Sequence, residues 1–323
     1  MIKNLIGIGN AAIDGTVEIS SDAELQKLGL VKGTCVFVDG QDERMKTIFD
    51  RYPDYQKDPG GAAANAIAAY GALGGTARFI GKTGQDDYGV FFKNDIKKYG
   101  VAFDTTITSE VESTFLFSVI TPDRERSFLS NHGASHKISA KDVQEEWFTK
   151  DTSLIMDGYM LMSGGGPEAM FTAMDYAEKH GSEIVFMPCS LTVVLEKRDY
   201  VDEICGRAHA FIANREEADA IADGDYKDIQ SQFDWGVVTL SADGAWYFDN
   251  RDGTQGHVPT PYQPDRIENT NGAGDNFSGG LLYGLHNGMS MEDAITLGHK
   301  CAIHALQKRG ARSDYDIRHL LED

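Results

Sequence analysis

Short apolar runs alternate with amphipathic helical patterns along most of this chain. The apolar runs predict buried strands at residues 5–8, 77–80, 154–156, 184–187, 211–213 and 237–240, with a hairpin-like segment through 245–248. The helical patterns predict helices at residues 62–73, 88–99, 167–180, 215–222, 274–287 and 291–308. This alternation favours an α/β fold built on a doubly wound, mainly parallel sheet.

Two segments, residues 14–40 and 102–131, break the alternation. They are richer in β-branched and aromatic residues and lack a helical period, and residues 115–120 and 126–129 read as strands. We expect the two segments to be insertions that form a small β-sheet lid over the main sheet. Because no internal repeat or Pro/Ser linker interrupts the chain, residues 1–323 are expected to form a single domain.

Composition and charge narrow the possible partners. The chain has 323 residues, of which 41% are hydrophobic, so a sizeable core is expected. A formal net charge of -20 repels phosphate backbones and anionic lipid, so neither nucleic acid nor a membrane is an expected partner. The four cysteines are far apart, which favours free buried thiols. The first apolar run is too short for a signal peptide, so a cytoplasmic location is expected.

The sequence contains three candidate phosphate sites, and two of them lack the required local structure. Residues 7–12 (GIGNAA) match the loose dinucleotide pattern G-x-G-x-x-A, but strand or loop follows where a helix must meet the pyrophosphate. Residues 75–83 (GTARFIGKT) resemble a P-loop, yet they have one residue too many between the glycines and read as a strand there. A nicotinamide or flavin site and a P-loop are therefore disfavoured.

The third candidate begins a predicted helix and consists of Gly272, Ala273, Gly274 and Asp275. Small residues at a helix start let backbone N–H groups approach an anion closely, and the helix dipole favours negative charge there. Asp275 falls in the first turn, where an ordinary capping aspartate is the alternative interpretation.

Other segments resemble the ribokinase-like (PfkB) carbohydrate kinases. Residues 60–65 (GGAAAN), 73–75 (LGG) and 81–89 (GKTGQDDYG) are similar to the family's N-terminal signature. Residues 269–275 (NTNGAGD) resemble its C-terminal signature D-T-x-G-A-G-D, and residues 214–217 (NREE) match its N-x-x-E element. Residues 9–14 (GNAAID), 126–128 (RSF) and 131–135 (NHGAS) are similar to the adenosine-kinase-like branch. The resemblance covers the whole chain and implies a three-layer kinase fold with a β-sheet lid.

The resemblance implies catalytic roles for the residues that match. Asp275 would be the general base that takes the proton from the attacking hydroxyl, a task that suits a carboxylate at a helix N-terminus. Gly272, Ala273 and Gly274 would form the anion hole for the transferred phosphoryl group. Arg126, in the expected lid, could fold onto the phosphates, although a lid salt bridge is the alternative.

The resemblance also implies an acceptor site in the N-terminal half of the chain. The hydroxyls of the substrate would be held by Asn10, Asp14, Gly60, Gly61 and Asn65, and Asn10 could instead reach a base. The alternatives are a turn for Asp14 and a helix cap for Asn65.

The nucleotide and its metal would lie against the C-terminal half. Glu217 with Asn214 would organise Mg²⁺ through water, because magnesium keeps much of its hydration shell. Thr239 and Gly244 would contact ATP, and His299 would pack against the adenine. A solvated helix carboxylate is the alternative for Glu217, and a structural histidine is the alternative for His299.

A few positions leave the chemistry open. Phe115 and Phe117 share one strand face and could stack a purine or only pack the lid. Asn269 stands where the family signature has an aspartate that helps to hold a monovalent cation, so a potassium requirement stays open. Ser241 replaces the second glycine of the nucleotide loop, which is a milder departure.

These residues lead to an expected function. The chain would transfer the γ-phosphate of ATP to a primary hydroxyl of a ribonucleoside, adenosine-like first, with Mg²⁺. A kinase of free ribose, fructose or a related sugar is the alternative within the same class. A non-catalytic nucleoside- or sugar-binding sensor is the alternative of another class, against which the presence of Asp275 and Glu217 argues. Both a monomer and a homodimer that pairs exposed lid edges are compatible with the sequence.

Overall fold

The computed structural model describes residues 4–38, 42–104, 107–123, 125–264 and 266–322. Its strands are β1 (Asn4–Ile8), β2 (Ala12–Glu18), β3 (Cys35–Val38), β4 (Gln56–Pro59), β5 (Ala77–Ile80), β6 (Thr83–Gly84), β7 (Val101–Ala102), β8 (Ile107–Thr108), β9 (Thr114–Ile120), β10 (Arg126–Asn131), β11 (Thr152–Asp157), β12 (Glu183–Met187), β13 (Ala210–Asn214), β14 (Trp235–Thr239), β15 (Ala245–Asp249) and β16 (Thr254–Val258). Its α-helices are α1 (Asp22–Lys27), α2 (Glu43–Arg51), α3 (Ala62–Ala72), α4 (Asp87–Lys98), α5 (Gly166–His180), α6 (Leu191–Glu196), α7 (Arg198–Cys205), α8 (Arg215–Ala222), α9 (Ala273–His286) and α10 (Met291–Leu306). In the described part of the chain, no helix is both long and apolar enough to cross a membrane.

A nine-stranded sheet forms the centre of the molecule, in the order β16-β15-β14-β13-β12-β11-β1-β5-β7. The strands from β14 to β7 pair in parallel, and the last hairpin, β15 and β16, adds antiparallel strands at one edge. The predicted doubly wound, mainly parallel sheet is confirmed. Each predicted strand and helix of this sheet is present, with ends that differ by a few residues at most.

The central sheet separates two hydrophobic cores, which makes the fold three-layered. Alternate residues of one strand face opposite sides, as Leu5 and Ile6 of β1 show by belonging to different cores. Helices α3, α9 and α10 contribute to the first core and α5 to α8 contribute to the second. Both faces of the sheet are therefore covered, as parallel sheets require.

A second sheet of five strands, here called the lid sheet, has the order β3-β10-β9-β2-β4. Strands β2, β3, β9 and β10 fall within or overlap the two predicted insertions, whereas β4 lies outside both. The expectation that residues 14–40 lack a helix was wrong, because α1 lies there, and six residues are too few to show a helical period. Residues 39–40, 105–106 and 124 of these insertions lie outside the described residues.

One face of the lid sheet is packed by aromatic side chains. Phe115 and Phe117 are fully buried there, with ring centroids 5.1 and 4.9 Å from Phe49 of α2. Tyr55 and Tyr88 complete this cluster, and their hydroxyls are 2.6 Å apart. Of the two fates predicted for Phe115 and Phe117, the structure shows packing of the lid.

The two disfavoured phosphate motifs, residues 7–12 and 75–83, contain or precede strands, as the sequence predicted. The strand β2, and not a helix, follows the glycines of residues 7–12. The strand β5 lies between the glycines of residues 75–83, and Lys82 pairs with buried Asp142 at 2.9 Å. Cys189, Cys205 and Cys301 are free thiols, and the side chain of Cys35 lies outside the described residues.

Candidate active site

Polar residues gather where the parallel strands of the central sheet end. Asn10 follows β1, Asp157 ends β11, Asn214 ends β13 and Thr239 ends β14. Carboxyl ends of neighbouring parallel strands lie at one edge of a sheet, and ligands of open α/β sheets bind in the crevice outside that edge. The starts of α3 and α9 face the same crevice, since Asn65 of α3 donates to Asp275 of α9 at 2.9 Å.

The start of α9 forms a tight backbone corner. Gly272 precedes the helix in the left-handed conformation, with φ 78°, and a Cβ there would lie 2.1 Å from the carbonyl oxygen of Ala311. Only glycine suits this position. The side chain of Asn276 donates to the carbonyls of Gly272 and Ala311 at 2.7 and 2.9 Å, which fixes the corner. The space beside Gly274 is open, so an anion can approach the free N–H groups of this helix start.

Asp275 is a half-buried carboxyl in the first turn of α9. Burial raises its pKa from 3.8 to about 7, the hydrogen bond from Asn65 lowers it, and the charges of Asp157, Asp14 and Glu217 raise it further. A carboxyl with a pKa near neutrality can both accept and release a proton at physiological pH. The ordinary-cap alternative is weakened, because a capping aspartate is typically solvated and acidic.

The burial of Asp275 leads to a prediction about stability. Because the folded-state pKa lies above the unfolded value of 3.8, the folded protein binds this proton more tightly, and stability is lost as pH rises from 3.8 to about 7. We therefore expect Asp275→Asn to raise the free energy of unfolding at pH 8 by about 1–3 kcal/mol. Near pH 4 the gain should vanish, since both proteins are then neutral at this position. Urea unfolding at both pH values checks this, and an equal gain at both would contradict it.

The predicted acceptor residues come together opposite Asp275. A Cβ on Gly60 would lie 2.5 Å from Oδ2 of Asp14, and a Cβ on Gly61, whose φ is 94°, would lie 2.0 Å from the carbonyl oxygen of Asn10. These glycines let two backbone segments approach each other where any side chain would clash. Asp14 lies within β2 and not in a turn, and burial raises its pKa to about 7. Asn65 lies in the interior of α3 and is not its cap.

Arg312 supports this acceptor site and was missed by the sequence analysis. Its buried guanidinium donates to Oδ1 of Asn65 at 3.0 Å, to the carbonyl of Gly60 at 3.1 Å and to Asp95 at 2.6 Å. Its charge also lowers the pKa of Asp14. A single arginine in a loop after the last long helix carries no local signal that could have identified it.

On the nucleotide side, Asn214 and Glu217 form a reciprocal cap at the start of α8. The backbone N–H and Nδ2 of Asn214 donate to the two carboxyl oxygens of Glu217 at 3.1 and 2.8 Å, and the N–H of Glu217 donates back to Asn214 at 2.9 Å. Glu217 is buried, and burial raises its pKa to about 7. The alternative of a solvated helix carboxylate is therefore wrong.

The remaining nucleotide residues lie near the end of β14 and on α10. Thr239 donates to the carbonyl of Ala213 at 3.4 Å, and Gly244 turns the chain into β15. Ser241, where the family has glycine, adopts a positive φ of 56°. His299 is buried with its ring 5.0 Å from that of Phe277, and burial lowers its pKa. Contact of these residues with ATP stays a prediction.

Arg126 of the lid sheet reaches the loop before α9. It donates to Oδ1 of Asn271 at 2.6 Å and to Oδ1 of Asn269 at 3.2 Å. Asn269 also accepts from the N–H of Asn271 at 3.0 Å and donates to the carbonyl of Arg309 at 2.7 Å. Both ends of the Asn269 amide are thus engaged within the protein, and the lid contacts the predicted anion site.

The residues of this site fit a magnesium ion that is held through water. Among the described residues, no group of three or more His, Cys, Asp or Glu side chains is arranged to hold a metal ion. Glu217 already accepts one hydrogen bond on each oxygen, which leaves it a free lone pair on each for water molecules of a hydrated ion. Mg²⁺ commonly retains several waters and takes other ligands from substrate phosphates.

Fold and site together define a kinase, a phosphotransferase that acts on a hydroxyl group of a sugar or a nucleoside. The profile of the pfkB family carbohydrate kinases matches residues 26–318, and the chain belongs to this family. The predicted family and enzyme class are confirmed.

The relatives with known names act on different acceptors. The chain is 28% identical to 5-dehydro-2-deoxygluconokinase of Geobacillus kaustophilus over 266 residues, 77% of this chain and 78% of that one. It is 24% identical to adenosine kinase of Saccharomyces cerevisiae over 96% of both chains. The crystal structure of adenosine kinase from Sinorhizobium meliloti has a TM-score of 0.89 at 24% identity, covering 100% of this chain and 99% of that chain. The names therefore leave the acceptor undecided between nucleoside and sugar.

Proposed function

We propose that this protein transfers the γ-phosphate of ATP to a primary hydroxyl of a ribonucleoside of the adenosine type. The observation that carries the proposal is the composition of one face of the lid sheet. Strand register places Phe37, Ser130, Leu116 and Asp14 side by side on four adjacent strands, and therefore on the same face. We call this the inner lid face; Arg126 and Phe128 of β10 belong to it by the two-residue period.

The inner lid face turns toward the active-site crevice. Its Asp14 packs against Gly60, and its Arg126 bonds to Asn269 and Asn271 of the anion-site loop. Leu116 of β9 lies between the strands that make these two contacts, Phe128 lies beside Arg126 on β10, and Phe37 lies on the edge strand β3 next to β10. The opposite lid face carries the buried aromatic cluster.

An apolar face beside hydroxyl-binding groups suits a nucleoside better than a free sugar. Phe37 is 44% exposed, although a phenyl ring in a lid would normally be buried. Its ring stacks on His132 with centroids 5.1 Å apart and planes 7° from parallel, so it presents a flat platform. A planar base can stack on such a ring over its whole face, whereas a free sugar offers only small C–H patches surrounded by hydroxyl groups that need hydrogen-bond partners.

The catalytic step follows from the geometry of the helix start. The acceptor hydroxyl, oriented by Asp14 and Asn65, would attack the γ-phosphorus and give its proton to Asp275, while the bond to the leaving ADP breaks. The N–H groups at Ala273 and Gly274 would stabilise charge on the transferred phosphoryl group. Bound Mg²⁺, held through water by Glu217, would neutralise phosphate charge.

Purified protein with Mg-ATP and a panel of nucleosides and free sugars should give a phosphorylated nucleoside, with adenosine-type bases preferred. Product mass measures the reaction, and competition between adenosine and ribose ranks the acceptors. Phe37→Ala should raise KM for the nucleoside about tenfold, because base–aromatic stacking is lost, and should leave KM for ATP unchanged.

Val31→Ala is the matched control, because Val31 is also an apolar lid residue, 66% exposed, but lies outside the inner lid face. It should leave both KM values unchanged. Phosphorylation of free sugars alone would support the sugar-kinase alternative. Absence of any acceptor-stimulated ATP consumption would support the sensor alternative.

A further inference from the structure

The loop before α9, residues 268–272, carries Asn269 where the family signature has an aspartate that helps to hold a monovalent cation. Oxygen atoms bind potassium by replacing its hydration shell, so each ligand oxygen must turn a lone pair toward the ion. Whether such an ion fits this loop therefore depends on what the oxygen atoms of the loop already bind.

The side-chain amide of Asn269 is engaged at both ends. Its Oδ1 accepts the backbone N–H of Asn271 at 3.0 Å and Nη2 of Arg126 at 3.2 Å, and these two donors use the two lone pairs of the amide oxygen. Its Nδ2 donates to the carbonyl oxygen of Arg309 at 2.7 Å. The amide therefore turns hydrogen-bonded oxygen and N–H groups toward its surroundings, and it lacks the negative charge of the aspartate in the signature.

Arg126 brings a permanent positive charge into the same loop. Its Nη1 donates to Oδ1 of Asn271 at 2.6 Å, while its Nη2 binds Asn269. A guanidinium is always charged in proteins. A potassium ion bound to either amide oxygen would lie next to this positive charge and be repelled by it. The residues of this loop therefore do not fit a monovalent cation.

The guanidinium of Arg126 supplies the two things that a cation bound to this loop would supply. The first is rigidity, because Asn271 directly precedes Gly272, and a restraint on Asn271 also restrains the backbone corner at the start of α9. The second is positive charge beside the helix start at which the transferred phosphoryl group is expected to develop negative charge. Since Arg126 belongs to β10, the same hydrogen bonds also join the lid sheet to the loop.

We propose that the guanidinium of Arg126 takes the place of a monovalent cation beside the anion site, so that phosphoryl transfer by this protein does not depend on potassium. Arg126 is in this role a positioning residue, which acts on the anion site through Asn269 and Asn271. The inference rests on the proposed function, since it assumes that the start of α9 binds the transferred phosphoryl group.

The first test uses the wild-type protein in potassium chloride, sodium chloride and tetramethylammonium chloride at equal ionic strength. ATP and buffer are supplied as tetramethylammonium salts, because this cation is too large to enter a cage of protein oxygens. We expect the same kcat and the same KM for ATP in the three salts. Calorimetric titration should likewise give one Kd for Mg-ATP. A kcat or an ATP affinity that is several-fold higher in potassium chloride than in tetramethylammonium chloride overturns the proposal.

The same series separates this inference from the proposed function. Absence of turnover in every salt would refute the proposed function, and the Kd for Mg-ATP in the three salts would still decide whether potassium acts on the anion site. Turnover that appears only in potassium chloride would support the proposed function and overturn the inference.

Replacing Arg126 tests whether the guanidinium has the proposed role. Arg126→Ala should lower kcat about 10²-fold in all three salts, because the anion site loses its restraint. Arg44→Ala is the matched control. Arg44 also binds side-chain oxygens, those of Asp42, but it lies on α2, which packs against the aromatic face of the lid sheet. Its replacement should leave kcat unchanged, and an Arg126→Ala variant with the kcat of the wild type overturns the proposal.

The double variant Arg126→Ala/Asn269→Asp gives a readout that a merely structural role of Arg126 would not change. It removes the positive charge from the loop and restores the carboxylate of the signature. Its kcat should therefore be higher in potassium chloride than in tetramethylammonium chloride. A folded double variant with equal kcat in both salts would show that other residues exclude the ion, and would overturn the assignment to Arg126 and Asn269. If circular dichroism shows that the variant does not fold, the salt series on the wild-type protein decides.

Discussion

Replacing Asp275 by asparagine should lower kcat by about 10²- to 10⁴-fold, the range expected for loss of a general base. Asparagine has nearly the shape of aspartate and can still accept the hydrogen bond that Asn65 donates at 2.9 Å, so the acceptor site should keep its geometry. What is lost is the group that takes the proton of the attacking hydroxyl. The N–H groups at the start of α9 remain, so binding of ATP should stay nearly intact.

Asp293→Asn is the matched control for this variant. Asp293 occupies the same position in α10, the third residue of the helix, but it is exposed and bonded to the capping residue Ser290. Its replacement should leave kcat unchanged. The measurements are steady-state turnover with the accepted substrate and calorimetric titration with ATP. Turnover of Asp275→Asn within a few-fold of the wild type would exclude Asp275 as the base.

The elements of the central sheet were predictable because their signals are local. A short apolar run such as 184–187 and an amphipathic pattern such as 167–180 identify themselves, and glycine or proline marks their ends. The lid was harder. Strand β4, with the sequence QKDP, is short and polar, and it exists because β2 offers a partner edge. Pairing over such a distance leaves no trace in the local pattern.

The candidate site also divides into residues that the local sequence identifies and residues that only the fold brings together. The backbone corner at Gly272 was predictable from small residues before a helical pattern, since this corner is local. The contact of Asn65 with Asp275 joins residues 210 positions apart, and the family resemblance implied a site role for each residue but not this contact. Arg312 was missed, because it acts through partners from several distant segments. A lone buried charge has no sequence signature until the fold supplies its partners.

Arg312→Met should lower the free energy of unfolding by about 3–5 kcal/mol, as removal of one partner from a buried ion pair does. Methionine fills much of the same volume but donates nothing to Asp95, Asn65 or the carbonyl of Gly60. The carboxylate of Asp95 would keep only the hydroxyl of Tyr315, at 3.1 Å, among these partners. Because Asn65 would lose a restraint next to Asp275, kcat should fall as well.

Arg207→Met provides the contrast for Arg312→Met, measured in the same urea titration. Arg207 also binds two carboxylates, Glu178 and Asp175, but its side chain is 24% exposed where that of Arg312 is 4% exposed. Exposed ion pairs contribute about 0–1 kcal/mol, so this variant should be nearly as stable as the wild type. The double variant Arg312→Met/Asp95→Asn should recover part of the loss, because it removes the unpaired buried charge. Equal destabilisation by the two single variants would show that Arg312 has no special role under the acceptor site. A large loss of stability in Arg312→Met that Asp95→Asn relieves would identify the buried charge pair as the support of Asn65.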